Sequence, residues 1–368
     1  MTVSISGTGG ITFDDSSVQN TAATGFGFKN RIINGAMVID QRNAGAAVTS
    51  SGSFPVDRFR LAFTMDGACS AQQVAEAPAG FINSLKFTTT TADTNLGTSQ
   101  TVLIGQRIEG LNVADLGWGS VNAQTVTLSF WVRSSLTGTF GGSVENSAEN
   151  RSYPFAYTIS AANTWEQKSI TIPGDTTGTW LTTNGIGIRV TFSMGAGSNF
   201  VGTAGAWAAA DYISSTGATS VIGTLNATWQ VTGVQLEKGS TATSFDYRPY
   251  GTELALCQRY FYRRTSLVAG GVISVLQAYS TTAAFGNIAN LPVTMRATPT
   301  ASVSAVGDFN LATSNSSNAA FTAINLDSTT KDNIATGNVS GSSGLVAGNA
   351  TCLTSANSTG YINASAEL

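Results

Sequence analysis

The stretch Thr125-Val126-Thr127-Leu128-Ser129-Phe130-Trp131-Val132 decides the fold class. Val126, Leu128, Phe130 and Val132 occupy every second position, with Thr125, Thr127 and Ser129 set against them. A period of two places the apolar set on one face of a strand and the hydroxyls on the other. The same device returns on either side of this point. Ile170 and Ile172 alternate with Ser169 and Thr171 until Pro173-Gly174 stops the run. Ile186, Ile188, Val190 and Phe192 interleave with Gly187, Arg189 and Thr191. Turn-forming stretches such as Thr137-Gly138-Thr139 and Asp175-Thr176-Thr177-Gly178 lie between the runs. Many short alternating strands joined by such turns predict an all-β chain built as a jelly-roll-like β-sandwich. The lack of a fixed-period repeat disfavours a β-helix or propeller.

Composition points the same way. Of 368 residues 40 are glycine, and only 11% are charged against 42% hydrophobic. Surface polarity must therefore come from Ser, Thr, Asn and backbone, and Ser, Thr and Gly are poor helix-interior residues. A net charge of -3 leaves no basic excess for nucleic-acid phosphates. Histidine is absent, which removes Ser-His-Asp and Cys-His nucleophiles and His-ligated metals. Cys69, Cys257 and Cys352 form no CxxC pair and read as small buried apolar residues. No run approaches the ~20 apolar residues of a membrane helix. Met1-Thr2-Val3-Ser4-Ile5 lacks the basic and apolar regions of a signal peptide. The expectation is a protein made in a cytoplasm, without membrane insertion, and with no cofactor or metal.

Four spans follow. Residues 1–27 are rich in Gly, Ser and Thr and too poor in apolar residues to bury a core, so they are expected to serve as an attachment segment ordered by a partner. Residues 28–250 hold all six tryptophans and the strand patterns above, and form the sandwich. Thr252 to Tyr262 carries apolar residues at helical spacing, with Thr252 as cap and Arg259, Arg263 and Arg264 at the end. This predicts a linking helix over 251–264. Residues 265–368 lack tryptophan, hold few charges and predict a second, smaller β domain whose core is completed by identical neighbours.

Two motifs frame the sandwich block. The first is Phe28-Lys29-Asn30-Arg31-Ile32-Ile33-Asn34-Gly35-Ala36-Met37-Val38-Ile39-Asp40-Gln41-Arg42, followed by Pro55-Val56-Asp57-Arg58-Phe59. The second runs from Trp229-Gln230-Val231-Thr232-Gly233-Val234-Gln235-Leu236-Glu237-Lys238-Gly239 through Phe245-Asp246-Tyr247-Arg248-Pro249 to Cys257-Gln258-Arg259-Tyr260-Phe261. Together they resemble the opening and close of a structural domain of tailed-bacteriophage fibre proteins. The second is also similar to the last strands of jelly-roll carbohydrate-binding modules. Within it, Gly233 and Gly239 permit tight turning, and Glu237, Lys238 and Arg248 are expected as rim or subunit-contact charges. The resemblance implies a homotrimeric tail fibre of the virion, docked on tail or baseplate proteins through its N-terminal segment. Its distal part would adhere to a host cell-surface glycan. The alternatives are a capsid-attached head fibre or decoration protein and a glycan-cleaving tailspike.

Sugar binding uses aromatic faces against pyranose C–H surfaces, flanked by amides and hydroxyls. Trp118, Trp180 and Trp207 lie in Gly/Thr-rich or Ala-rich surroundings and are the candidate glycan platforms. Trp131, Trp165 and Trp229 sit in strand-like runs and are read as core or interface. Glycan cleavage would need two carboxylates across a cleft, drawn from Glu145, Glu149, Glu166, Asp211 and Asp246. None sits in a catalytic motif, so no catalytic residue is assigned and the chain is read as a non-enzyme.

Overall fold

The computed structural model describes residues 29–265, 268–313, 319–326 and 328–368, with three short strands ahead of them. These strands, β1 (Ile5–Ser6), β2 (Gly10–Thr12) and β3 (Val18–Gln19), pair antiparallel in that order. The rest of the expected attachment segment lies outside the described residues.

The next strands along the chain are β4 (Phe59–Thr64), β5 (Ala68–Val74), β6 (Ser84–Thr91), β7 (Thr101–Glu109) and β8 (Val126–Ser134). There follow β9 (Gly138–Glu145), β10 (Ser152–Ile159), β11 (Glu166–Ile172) and β12 (Ile186–Ala196). The pair β13 (Val201–Gly202) and β14 (Ser214–Ser215) precedes β15 (Thr228–Lys238). Two five-stranded antiparallel sheets result, ordered β10-β9-β12-β7-β4 and β11-β8-β15-β6-β5. Their strand orders mix distant segments, as expected of a jelly-roll-like sandwich.

The predicted inward set holds: Val126, Leu128, Phe130 and Val132 are fully buried. Phe130 meets Phe192 of the opposite sheet edge-on at 5.0 Å, and Phe192 packs on Trp229 at 5.3 Å. The buried indole N–H of Trp229 donates to the Tyr157 hydroxyl at 3.0 Å, so the core carries no orphaned polar group there. Burying such a ring contributes about 2–3 kcal/mol. The hydroxyl face of β8 is covered as well, Thr127 donating to Gly239 O at 2.8 Å. Ile172 ends β11 where Pro173 was expected to stop it.

The two framing motifs meet in space. The side-chain oxygen of Asn30 accepts from Ile32 and Leu236 backbone N–H groups, and its amide donates to Val234 O. Asn34, in the left-handed region at φ 60, donates to Ile39 O and Asp57 O and accepts from Ile39 N–H. An irregular opening segment is thereby stitched to β15 with its polar groups satisfied, which burial demands. Gly233 occupies the bulge in β15 at φ 62, where a Cβ would lie 2.7 Å from the Phe81 ring.

The helix differs from expectation. Helix α1 is Tyr250–Gln258, its N-cap is Pro249, and Thr252 lies in the first turn with no capping bond. Pro249 lacks an N–H, and its carbonyl accepts from Thr252 and Glu253 instead. Residues 261–265 are not helical but form β16 (Phe261–Thr265), paired with a strand a hundred residues on. Glu237 and Arg248 are interior rather than rim charges, 3% and 7% exposed, and bond within the chain.

Beyond β16 the strands are β17 (Val272–Ala278), β18 (Ala283–Asn290), β19 (Thr300–Val303), β20 (Phe309–Ala312) and β21 (Ala323–Asn325). β22 (Asn333–Ser340), β23 (Ala350–Ser355) and β24 (Tyr361–Ser365) complete them. They form a three-stranded sheet, β16-β24-β19, and a six-stranded sheet, β20-β23-β17-β18-β22-β21. Leu276, Ile288, Phe309, Leu311, Leu353 and Ile362 share a core separate from that of the sandwich. Polar contacts tie the regions together. Glu367 pairs with Arg42 and Arg58, and Glu109 accepts from Arg259 and the Tyr260 hydroxyl. Among the described residues no helix is long and apolar enough to cross a membrane.

Candidate functional site

A cleft of about 310 Å³ lies on the face of the β10-β9-β12-β7-β4 sheet that points away from the sandwich core. Alternation aims the side chains. Ile188, Val190 and Phe192 of β12 enter the core, so Arg189 and Thr191 face outward. Arg189 stands directly opposite Glu145 on β9 and Arg107 on β7, and directly paired residues share a face. Arg60 on β4 opposes Gly105, whose missing side chain leaves the floor open between them. Glu149, Phe200, Asp211 and Ile213 wall the cleft from the loops.

Three arginines and three carboxyls line the cleft, and burial unbalances them by raising Glu145 and Asp211. Arg189 is ion-paired with Glu149, whereas Arg60 makes no hydrogen bond or ion pair among the described residues. Burial and the neighbouring guanidiniums of Arg60, Arg189 and Arg58 push Arg107 down to about 10. Burial and the nearby Asp211 carboxylate push Glu145 up to about 8, against the opposing pull of Arg189. Burial raises Asp211 too. Glu145 is 3% exposed, and its Oε1 has no hydrogen-bond partner among the described residues. Such a group is an acid holding its proton at neutral pH, able to donate to an incoming oxygen.

The three expected platforms come together at the edge of the sandwich core, Trp207 resting on Tyr153. Trp118, Trp180 and Trp207 pack edge-to-face on one another at 4.7 to 5.4 Å. Trp118 is buried; Trp180 and Trp207 are half-buried. Their indole N–H groups donate inward, to Gln124 O, to Asp175 Oδ2 and Thr177 O, and to Pro173 O. Asp175 also grips Arg151 in a two-pronged ion pair, which fixes the loop carrying Trp180. Trp180 and Trp207 thus offer ring surface rather than donors, whereas Trp118, expected as a third platform, is core and backs them. Trp207 and Asp211 belong to one loop, held to the start of β10 by bonds from Ser152 Oγ to Ala210 O and from Tyr212 N–H to Ser152 Oγ. That loop joins the ring cluster to the cleft.

Three of the five carboxylates named from the sequence, Glu145, Glu149 and Asp211, line this cleft. Glu166 instead pairs with Lys168, and Asp246 accepts from Asn30 N–H. The sequence reading missed the arginines. Their one signal is an outward cation in an alternating run, as in Phe59-Arg60-Leu61 and Ile188-Arg189-Val190. Among the other tryptophans, Trp229 is core, and Trp131 and Trp165 are half-buried. No group of three or more acidic or cysteine side chains among the described residues is arranged to hold a metal ion.

No family model and no curated protein matches the sequence. Solved structures do match. The enzymatically active domain of tailspike protein 4 from bacteriophage CBA120 is similar at 13% identity over 57% of this chain, with a TM-score of 0.33. The chain spans 22% of that domain's length. The family 11 carbohydrate-binding module of the cellulosomal cellulase Lic26A-Cel5E of Clostridium thermocellum is similar at 13% identity over 54% of this chain and 99% of the module, TM-score 0.26. The CBM22-1 xylan-binding domain of Paenibacillus barcinonensis Xyn10C follows at 12% identity over 55% of this chain and 99% of that domain, TM-score 0.25.

Proposed function

We propose that this chain is a tail-fibre structural protein of a tailed-bacteriophage virion. In this reading it holds a host-surface glycan along a lane running from Trp180 and Trp207 into the Arg189 cleft. The observation that carries the reading is the loop that places Trp207 in the ring cluster and Asp211 in the cleft wall. Half-exposed rings suit pyranose C–H faces, and the arginines and carboxyls suit sugar oxygens. Residues 28–250 form the sandwich that bears the site, 251–264 the link, and 265–368 the distal unit, while residues 1–27 dock on tail or baseplate proteins.

The fibre is a homotrimer in this reading. Val275 and Phe285 are exposed on the distal six-stranded sheet, with Tyr279 exposed in the turn after β17 and Val346 nearby, and large exposed apolar groups mark association surfaces. Three sites per fibre multiply weak contacts into avidity. Light scattering of the intact chain is expected to give three chain masses, and a monomer mass at micromolar concentration overturns the trimer.

Glycan cleavage is the second reading, favoured by Glu145 and Asp211 lying in one cleft. One experiment separates the two. The chain is incubated with surface polysaccharides of candidate hosts, and both retention and chain length are followed. Retention of full-length polysaccharide is expected, and shortened chains overturn the binding-only reading. Trp180→Ala is expected to weaken retention about tenfold, the worth of one lost ring contact. Unchanged retention removes the ring cluster from the site.

A further inference from the structure

We infer that the sugar held in this cleft is an acidic one, whose carboxylate, sulfate or phosphate group sits between Arg60, Arg107 and Arg189. This rests on the glycan reading above and names its ligand class. Three adjacent strands each present a guanidinium to the same outer face, and Arg107 stands directly opposite Arg189. Like charges placed opposite each other across a sheet are destabilising unless something neutralises them.

The chain supplies too little neutralisation of its own. Glu149 is spent on Arg189, and Arg58, which also crowds Arg107, is paired with Glu367 and stacked on Tyr260. Arg107 donates to the main-chain oxygen of Leu368, and Arg60 has no partner among the described residues. Glu145, directly across from Arg189, is pushed toward its neutral form by burial and Asp211 and so offers a weakened counter-charge. Asp211, the remaining acid of the cleft, acts on Arg189 as well, so the guanidinium left without a carboxylate among the described residues is that of Arg60, beside Arg107. Planar guanidinium forks match the oxygen pairs of carboxylate, sulfate and phosphate groups. Glu145 lines the same space, and its buried Oε1 has no hydrogen-bond partner among the described residues.

The test uses the intact chain and three matched pairs of polysaccharides. These are polygalacturonate against its carboxyl-reduced form, dextran sulfate against dextran, and phosphomannan against dephosphorylated mannan. Expected is at least about tenfold tighter binding to the acidic member of one pair, weakened by added salt. The pair that shows it identifies the anionic group. Arg60→Gln is expected to reduce that binding about tenfold while leaving thermal stability intact, since Arg60 holds nothing else in place. Equal affinity within every pair, or an Arg60→Gln variant that binds as the parent does, overturns the acidic-sugar inference and leaves the glycan reading standing. If no polysaccharide binds and inorganic sulfate alone occupies the cleft in an Arg60-dependent way, the glycan reading fails and this inference with it.

Discussion

Replacing Glu253 by alanine is expected to cost about 3–5 kcal/mol of folding stability, a large share of the roughly 5–15 kcal/mol that holds a domain folded. Glu253 sits at the start of α1, and its carboxylate accepts from the Asn34 backbone N–H and from Nη1 of Arg248 at 3.2 and 3.3 Å. Both side chains of the pair are buried, with 4% exposure for Arg248 and 10% for Glu253. The Arg248 guanidinium donates further to Ile32 O and Asn30 O. Truncating the acid removes the carboxylate that faces the buried Arg248 guanidinium and the acceptor of a residue already held at positive φ. Urea unfolding followed by tryptophan fluorescence measures the loss, and a change under about 1 kcal/mol would show the pair to be ornamental. The double variant Arg248→Met with Glu253→Leu tests the cause. Removing both charges should recover most of what the single variant loses, because a buried charge is costlier beside a truncated acid than an apolar pair is in its place.

That pair also shows what a chain can and cannot reveal about itself. The inward faces of β8, β11 and β12 were legible because alternation is a local property, and one strand carries its own record of which side is buried. The helix boundary was not. Thr252 is a good cap by residue type, yet the carbonyl of Pro249 precedes it and starts the helix instead. Tyr260-Phe261-Tyr262 continues a helical spacing, but Tyr361–Ser365 pulls the segment from Phe261 onward into a sheet from a hundred residues away. The cleft lies further from view. Residue chemistry named Glu145, Glu149 and Asp211 among five acids. Their union, and the arginine row beside them, depends on the order β9-β12-β7 and on a register that sets Arg189 between Glu145 and Arg107. Arg42, Asp57 and Arg58 follow the same rule. They lie close together in the opening motif, while the acid that joins the two arginines, Glu367, sits at the far end of the sequence.

Glu145 sets the second large effect, and its sign follows from linkage. In the unfolded chain its carboxyl loses its proton near 4.5, whereas in the fold burial and Asp211 hold the proton up to about 8. Between those values the folded state binds one proton more than the unfolded state, so stability falls as pH rises, by up to ~1.4 kcal/mol per unit. Asp57, raised to about 6 mainly by burial, acts in the same direction over a narrower window. Asp175, Asp308, Glu76 and Glu166 are lowered, and what they contribute is lost only in stronger acid. Stability is therefore expected to peak in mildly acidic solution and to decline toward pH 9. Glu145→Gln keeps the shape of the protonated acid and cannot ionise. Its unfolding free energy should match the parent near pH 4 and exceed it by about 3–5 kcal/mol at pH 9, read from urea midpoints across that range. Parallel curves would mean that Glu145 titrates as an ordinary surface acid. The same variant separates holding from cutting. A cleft that only grips its sugar loses little when a neutral acid becomes a neutral amide, whereas a reaction that needs the Glu145 proton stops.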